Sequence, residues 1–310
     1  MPPEAPLHYP LSALDEAKPG SSRSAEVVVP VVRELLAPGS VLDAGCGLGT
    51  WLQVWQQNGV QDILGVDGTD DLPPGTRLIS TDHFRAIDLR APFNLGRRFA
   101  LVQSLEVAEH LPRACAAGFV QSLCDHGDMV LFGAAIPGQG GHRHVNEQWQ
   151  SHWARLFAER GFKAFDVIRP RIWHQPDVSM WYKQNTLLFA HESRVAALSA
   201  RLSAVPAEPR SLDLVHPDLF TAKMSQPASW VDPAQLPVRA LLADLGRAIP
   251  RAVAGRLGAA HRKSKVPETT RPADHSPDRR SAAPGVTPNL FDPAGNELPS
   301  CRPSNAPNLS

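Results

Sequence analysis

The chain has 310 residues, enough for one or two domains of ~150 residues, and carries 31 Lys and Arg against 31 Asp and Glu. A formal charge of zero excludes a whole-chain basic field for nucleic acid, so no nucleic-acid partner is expected. Four cysteines (Cys46, Cys115, Cys124, Cys301) without a Cys-x-x-Cys pair argue against a disulfide scaffold or a zinc ribbon.

The start, Met1-Pro2-Pro3-Glu4-Ala5-Pro6, has neither a basic nor an apolar character, and no run of ~18 apolar residues follows. The expectation is a cytoplasmic protein with no signal peptide and no transmembrane segment. Residues 1–22 read as a flexible segment. A helix capped by Ser24 should run to Leu36, bent or shifted by Pro30 and stopped by Ala37-Pro38-Gly39. Strand and helix then alternate. Strands are predicted at 41–44, 62–67, 85–89, 99–105 and 128–134, and helices at 51–57, 114–124 and 148–160. Two late strands, 162–168 and 185–190, are joined by an irregular loop too poor for a crossover helix, so they should pair antiparallel. The fold class is therefore α/β. It is a doubly wound, mostly parallel, seven-stranded sheet with a final antiparallel strand and a largely disordered C-terminal tail.

Val41-Leu42-Asp43-Ala44-Gly45-Cys46-Gly47-Leu48-Gly49-Thr50 leaves a strand, turns on alternate glycines and opens a helix. Such a turn lets a ligand approach bare backbone at the carboxyl edge of the sheet. The third glycine comes one residue too early for the dinucleotide fingerprint, which disfavours a nicotinamide-dependent oxidoreductase. Asp43 would repel a pyrophosphate but attract an ammonium group. Asp67, ending the next strand, can accept both hydroxyls of a ribose. The ligand these acids suit is a nucleoside bearing an amine.

This Asp-x-Gly-x-Gly-x-Gly string in its strand–turn–helix setting resembles the class I S-adenosylmethionine-dependent methyltransferases, over roughly residues 24–190. The resemblance implies that Asp43, Gly45 and Gly47 line the methionine part of S-adenosylmethionine and that Asp67 binds its ribose. Asp88 falls where the family contacts the adenine amine, the alternative being a cap on the following turn. Cys46, Gly49, Gly68, Leu89 and Glu106 complete the implied pocket. The chain departs from the family at Phe99-Ala100, where an Asp often follows the aromatic residue.

The fourth strand runs into Glu106-Val107-Ala108-Glu109-His110. One helical turn would bring these two carboxylates and the imidazole to one face, suited either to a hard divalent cation such as Mg or to a general base. The loop after the fifth strand adds His142 and His144. Glu-x-x-Glu-His with a later loop histidine resembles the ubiquinone-biosynthesis O-methyltransferases and the small-RNA 2′-O-methyltransferases. In the latter such residues hold a divalent metal at the accepting hydroxyl. The matching metal ligands would be Glu106, Glu109, His110 and His144, with His142 competing for the last place. The catalytic candidates are His110, Glu106 and His144. The same residues occur in metal-free methyltransferases, where they shape the pocket.

Trp51 and Trp55, like Trp149 and Trp153, are spaced i, i+4 and read as core. Trp173, Trp181 and Tyr182 lie in the loop before the last strand, as an aromatic lid over a ring-shaped substrate or as packing.

The implied domains are a methyltransferase domain at 23–192, a linker at 193–265 with short basic amphipathic helices, and a disordered tail at 266–310. Residues 235–265 carry seven Lys and Arg against Asp244 alone, a basis for contact with a partner or a membrane surface, or simply for solvated helices. Val215–Phe220 can anchor the tail. The expected activity is methyl transfer from S-adenosylmethionine to a small molecule or glycan, at oxygen. The alternative is a non-catalytic methyltransferase-like scaffold in a biosynthetic complex.

Overall fold

The computed structural model describes residues 11–68, 72–73 and 75–225, with side chains from residue 19 onward. The chain divides into a unit containing residues up to Lys223 and a second unit, Met224–Ala294, of which only Met224 and Ser225 are described. The basic helices expected at 235–265 and the disordered tail expected at 266–310 lie outside the described residues.

The elements in order are α1 (Leu11–Leu36), β1 (Ser40–Ala44), α2 (Thr50–Gln57), β2 (Asp62–Asp67), β3 (Phe84–Ala86), β4 (Leu101–Leu105), α3 (Ala116–His126), β5 (Met129–Gly133), α4 (Gln150–Ala158), β6 (Phe162–Phe165), α5 (Arg169–Ile172), α6 (Met180–Asn185), β7 (Leu187–His191), α7 (Glu192–Leu202) and α8 (Pro217–Ser225). One seven-stranded sheet has the order β3-β2-β1-β4-β5-β7-β6. The first five strands are parallel. β7 is antiparallel to both β5 and β6, so the two late strands pair antiparallel as expected.

Both faces are covered because the strands are apolar on both sides: β4 and β5 are buried along their whole length. One core holds α1, α2 and α7 against the sheet through Val28, Val32, Trp55 and Leu198. The other holds α3 and α4 through Phe119, Leu123, Trp153 and Phe157. Strand order reverses between β1 and β4. The loops leaving the carboxyl ends of these two strands therefore flank the crevice where open α/β sheets take ligands.

Four expectations need correction. The first helix begins at Leu11, not Ser24, so Leu11 to Ser22 of the expected flexible segment are helical, and Pro19 and Pro30 both lie inside α1. The third strand stops at Ala86, which leaves Asp88 and Leu89 in the turn beyond it. The 169–184 connection contains α5 and α6. Finally, residues 193–223 are not a linker. Leu198, Leu212 and Leu219 are buried, and Asp213 caps α4 by accepting from the Ser151 N–H and hydroxyl, both at 2.8 Å. The 215–220 stretch does anchor this segment. His216 donates its main-chain N–H to Gln184 Oε1 (2.8 Å), and its Nε2 lies 2.9 Å from the Trp173 carbonyl.

Arg169, 1% exposed, fastens α5 to that segment. It binds Asp166 through two nitrogens, at 2.9 and 2.7 Å, and donates to the carbonyls of Gln184 (3.2 Å) and Leu212 (2.8 Å). Arg169→Ala removes four bonds and strips the buried Leu212 carbonyl of its Arg169 donor, while the Gln184 carbonyl keeps Gln150 Nε2 at 3.4 Å. Urea unfolding should show a loss of about 3 kcal/mol.

Candidate active site at the carboxyl edge of the sheet

The turn after β1 is tied down by its own backbone. The N–H groups of Gly45 and Cys46 donate to the Val66 carbonyl at 2.8 and 3.2 Å. Gly45 has φ +88°, and a Cβ there would stand 2.3 Å from a Val107 methyl; at Gly49 (φ +80°) it would meet Ile79 at 2.7 Å. Only glycine fits either position, for both conformation and space.

Asp43 and Asp67 frame this turn. Asp43 is 3% exposed. Its ladder partner is Gln103, whose Oε1 accepts from Trp55 Nε1 at 3.1 Å, so the Gln103 amide nitrogen faces Asp43. Burial raises the Asp43 pKa from 3.8 to about 7, against the pull of Gln103 and with a further push from Asp67. Asp67 accepts the Gly47 N–H at 2.9 Å, and Arg77 donates to the Gly47 carbonyl at 2.8 Å from a position over the Phe84 ring. Arg77 was missed because it sits in an irregular stretch with no motif. Asp88 is held by its near neighbour Arg90, with guanidinium contacts at 2.9, 3.1 and 2.8 Å and the Arg90 N–H at 3.0 Å. These contacts lower its pKa, and the turn-capping alternative describes its present bonds. Leu89 is buried beside it.

β4 ends at Leu105, and Glu106 adopts a left-handed backbone, φ +57°, with its N–H bonded to the Gly133 carbonyl at 2.8 Å. That conformation costs a non-glycine residue about 1–2 kcal/mol. It also takes Glu106 off the helical face expected for it: only Ala108–His110 form a helical turn, of the 3-10 type. The Glu106 carboxylate accepts from Gln139 Nε2 and Asn185 Nδ2, both at 2.9 Å. Burial raises its pKa to about 7, and the two amides pull it back. Neither amide was foreseen. Gln139 lies in a glycine-rich loop and Asn185 was read as the first residue of a strand, so nothing local marked either as polar and buried.

Glu109 is fully buried, and neither of its carboxyl oxygens has a hydrogen-bond partner. Burial raises its pKa well above the usual range, and Glu106 adds to this. His110 is held down to about 4, first by burial and then by His144, whose ring centroid lies 4.9 Å away. His144 Nδ1 is 2.9 Å from Glu147, which also accepts the N–H groups of Gly138 and Gly140. His142 is exposed, so the competition for the loop position resolves to His144.

Glu109, His110 and His144 offer ligand atoms within 4.8 Å of one another, which suits a divalent cation. Glu106, the fourth expected ligand, is not in this cluster, and its two oxygens accept from Gln139 and Asn185. The aromatic residues also resolve. Tyr182 packs edge-on against Trp51 at 5.0 Å and Trp173 packs on His216 at 4.4 Å. Of the second tryptophan pair, Trp153 is core and Trp149 is 40% exposed. Among the described residues, no helix is long and apolar enough to cross a membrane.

Residues 22–132 match a family model described as a methyltransferase domain. This segment runs from α1 to β5 and holds the glycine turn, Asp67 and Glu106 through His110. No curated protein matches the chain. Among solved structures, the sugar N-methyltransferase KedS8 from Streptoalloteichus sp ATCC 53650 is similar at 18% identity and a TM-score of 0.46, over 60% of this chain and 94% of that one. CalS10, an amino pentose methyltransferase from Micromonospora echinaspora, gives 15% and 0.43, over 61% and 99%. The magnesium protoporphyrin IX methyltransferase of Synechocystis PCC 6803 with bound SAH gives 18% and 0.41, over 56% and 84%.

Proposed function

We propose that the protein transfers a methyl group from S-adenosylmethionine to an oxygen of a small molecule or glycan. The observation that carries this reading is the bare turn at Gly45–Gly49, set between buried Asp43 and half-buried Asp67 at the point where strand order reverses. Asp43 would meet the ammonium of the methionine part and Asp67 the ribose. Gly45, Cys46, Gly47, Gly49 and Gly68 would leave room for the ligand beside the backbone, with Asp88 and Leu89 at the base. S-adenosylmethionine supplies a methyl group on a sulfonium, which leaves by in-line displacement, so much of the rate comes from alignment and exclusion of water. The site's own residues then have to orient the acceptor and receive its proton. Glu106, His110 and His144 are the groups beyond the turn able to do so, and His110 stays neutral at physiological pH because burial holds it near 4.

Radiolabelled S-adenosylmethionine incubated with the protein and cell extract should label a small-molecule or glycan fraction. Isothermal titration should show binding of S-adenosylhomocysteine and none of NADH. Cofactor binding without transfer on any hydroxylated extract would leave the scaffold reading standing. His110→Ala should bind S-adenosylhomocysteine within about threefold of the parent and slow transfer about 10²–10⁴-fold, the usual range for an acid–base group.

A metal-assisted version is favoured by one observation: two carboxyl oxygens of a fully buried Glu109 without a donor, beside two imidazoles. Glu109, His110 and His144 would hold the ion, which would polarise the acceptor oxygen. Transfer that survives a chelator would dismiss it.

A further inference from the structure

We propose that Gln139 and Asn185 are positioning residues for the Glu106 carboxylate, and that main-chain N–H groups set their orientation through a relay of carboxamides. The inference rests on the reading above, in which Glu106 stands at the acceptor end of a methyl-transfer site.

A carboxamide offers an acceptor on one side and two donors on the other, and only its surroundings decide which way it points. Here the surroundings leave no choice. The main-chain N–H of His216 can only donate, and it reaches Gln184 Oε1 at 2.8 Å. Gln184 must therefore turn its nitrogen inward, where it donates to Gln139 Oε1 (3.1 Å) and Asn185 Oδ1 (3.0 Å). The Ile136 N–H reaches the same Gln139 oxygen at 3.3 Å. With its oxygen so engaged, Gln139 presents Nε2 to Glu106 Oε2; Asn185 presents Nδ2 to Gln139 Oε1 (3.0 Å) and to Glu106 Oε1. Reversing any of the three amides would set oxygen against oxygen in a buried site, where an unmade bond is costly. Gln139, Gln184 and Asn185 are 7%, 0% and 2% exposed, so water does not compensate.

The consequence is a carboxylate fixed at both oxygens by charge-assisted bonds, on a residue whose backbone is already left-handed. Its neighbour Glu109 receives no such donors. All the relay residues lie beyond residue 132, outside the matched methyltransferase segment, and His216 belongs to the anchored stretch before α8. The later part of the chain thus aims a side chain supplied by the earlier part.

The test is a double-mutant cycle read as methyl transfer from radiolabelled S-adenosylmethionine to the labelled fraction. Gln139→Ala and Asn185→Ala should each slow transfer ~10–100-fold, the cost expected of a misplaced group. S-adenosylhomocysteine affinity should stay within about threefold. In a Glu106→Gln background neither change should slow transfer further, because each acts through the same carboxylate. Additive losses, or losses matched by weaker S-adenosylhomocysteine binding, overturn the proposal. An inactive parent protein refutes the functional reading instead. The relay then stands or falls on the side-chain NH₂ resonances of Gln139 and Asn185. These should shift in Glu106→Gln and in Gln184→Leu; unmoved signals in both variants overturn it.

Discussion

Asp43→Asn is expected to make the ligand-free protein more stable above pH 7, to remove one of three contributions to the pH dependence of its stability, and to weaken cofactor binding. The folded protein holds the Asp43 proton up to about pH 7, against an ordinary value of 3.8, chiefly because the carboxyl is buried. A group whose folded pKa is raised stabilises the fold fully below its unfolded pKa, and the contribution is lost as pH rises through the folded value. Three pH units at 1.36 kcal/mol each put this loss at about 4 kcal/mol between pH 4 and pH 7. Glu106 and Glu109 act in the same direction. Urea unfolding of the parent should show falling stability from pH 5 to pH 8, and Asp43→Asn should recover up to about 4 kcal/mol at pH 8. Cofactor binding runs the other way, because an ammonium group needs the ionised carboxylate. S-adenosylhomocysteine affinity should rise with pH up to about 7 and then level off, and in Asp43→Asn it should be weaker and flat. A flat profile in the parent would remove Asp43 from the ammonium site.

The features proposed for the cofactor side could be read from the sequence because they are local. A strand, a glycine turn and an acid ending the next strand impose backbone conformations and charges within a stretch of about 25 residues, and the structure keeps them in register. The antiparallel end of the sheet was expected from a connection that reads as irregular; the pairing holds although that connection contains α5 and α6. The acceptor side was legible only in part. Glu109, His110 and His144 were foreseen together because a helical turn and a histidine loop both leave the carboxyl edge. The left-handed φ of Glu106 carries no sequence signal in a residue that is not glycine. Gln139, Gln184 and Asn185 act through contacts made across 33 to 79 residues, with periodicity too weak to disclose them. Arg169 and His216 show the same limit. Their partners across the later segment are carbonyl and carboxamide oxygens, which carry no residue-type signature, so the segment after β7 reads as a linker although Leu212 at its centre is fully buried.

Asp67→Ala is expected to abolish cofactor binding at practical concentrations. Two charge-assisted bonds from ribose hydroxyls, each contributing about 1.5–3 kcal/mol, correspond to a ~10²–10⁴-fold loss of affinity. The substitution also strips the Gly47 N–H of its acceptor at 2.9 Å, so part of the loss would come from a loosened turn. Asp67→Asn separates the two effects. An amide oxygen still accepts from Gly47 while the anion is gone, so the turn should hold and affinity should still fall at least ~10-fold. Removing the Asp67 charge also relieves Asp43, whose pKa it helps to raise, so the pH at which S-adenosylhomocysteine affinity levels off should move down in both variants. Isothermal titration across pH 5.5–8.5 measures both effects in one series. If Asp67→Ala binds S-adenosylhomocysteine as the parent does, the ribose is not at β2, and the pairing of Asp43 with the ammonium fails with it, because the two acids flank the same turn.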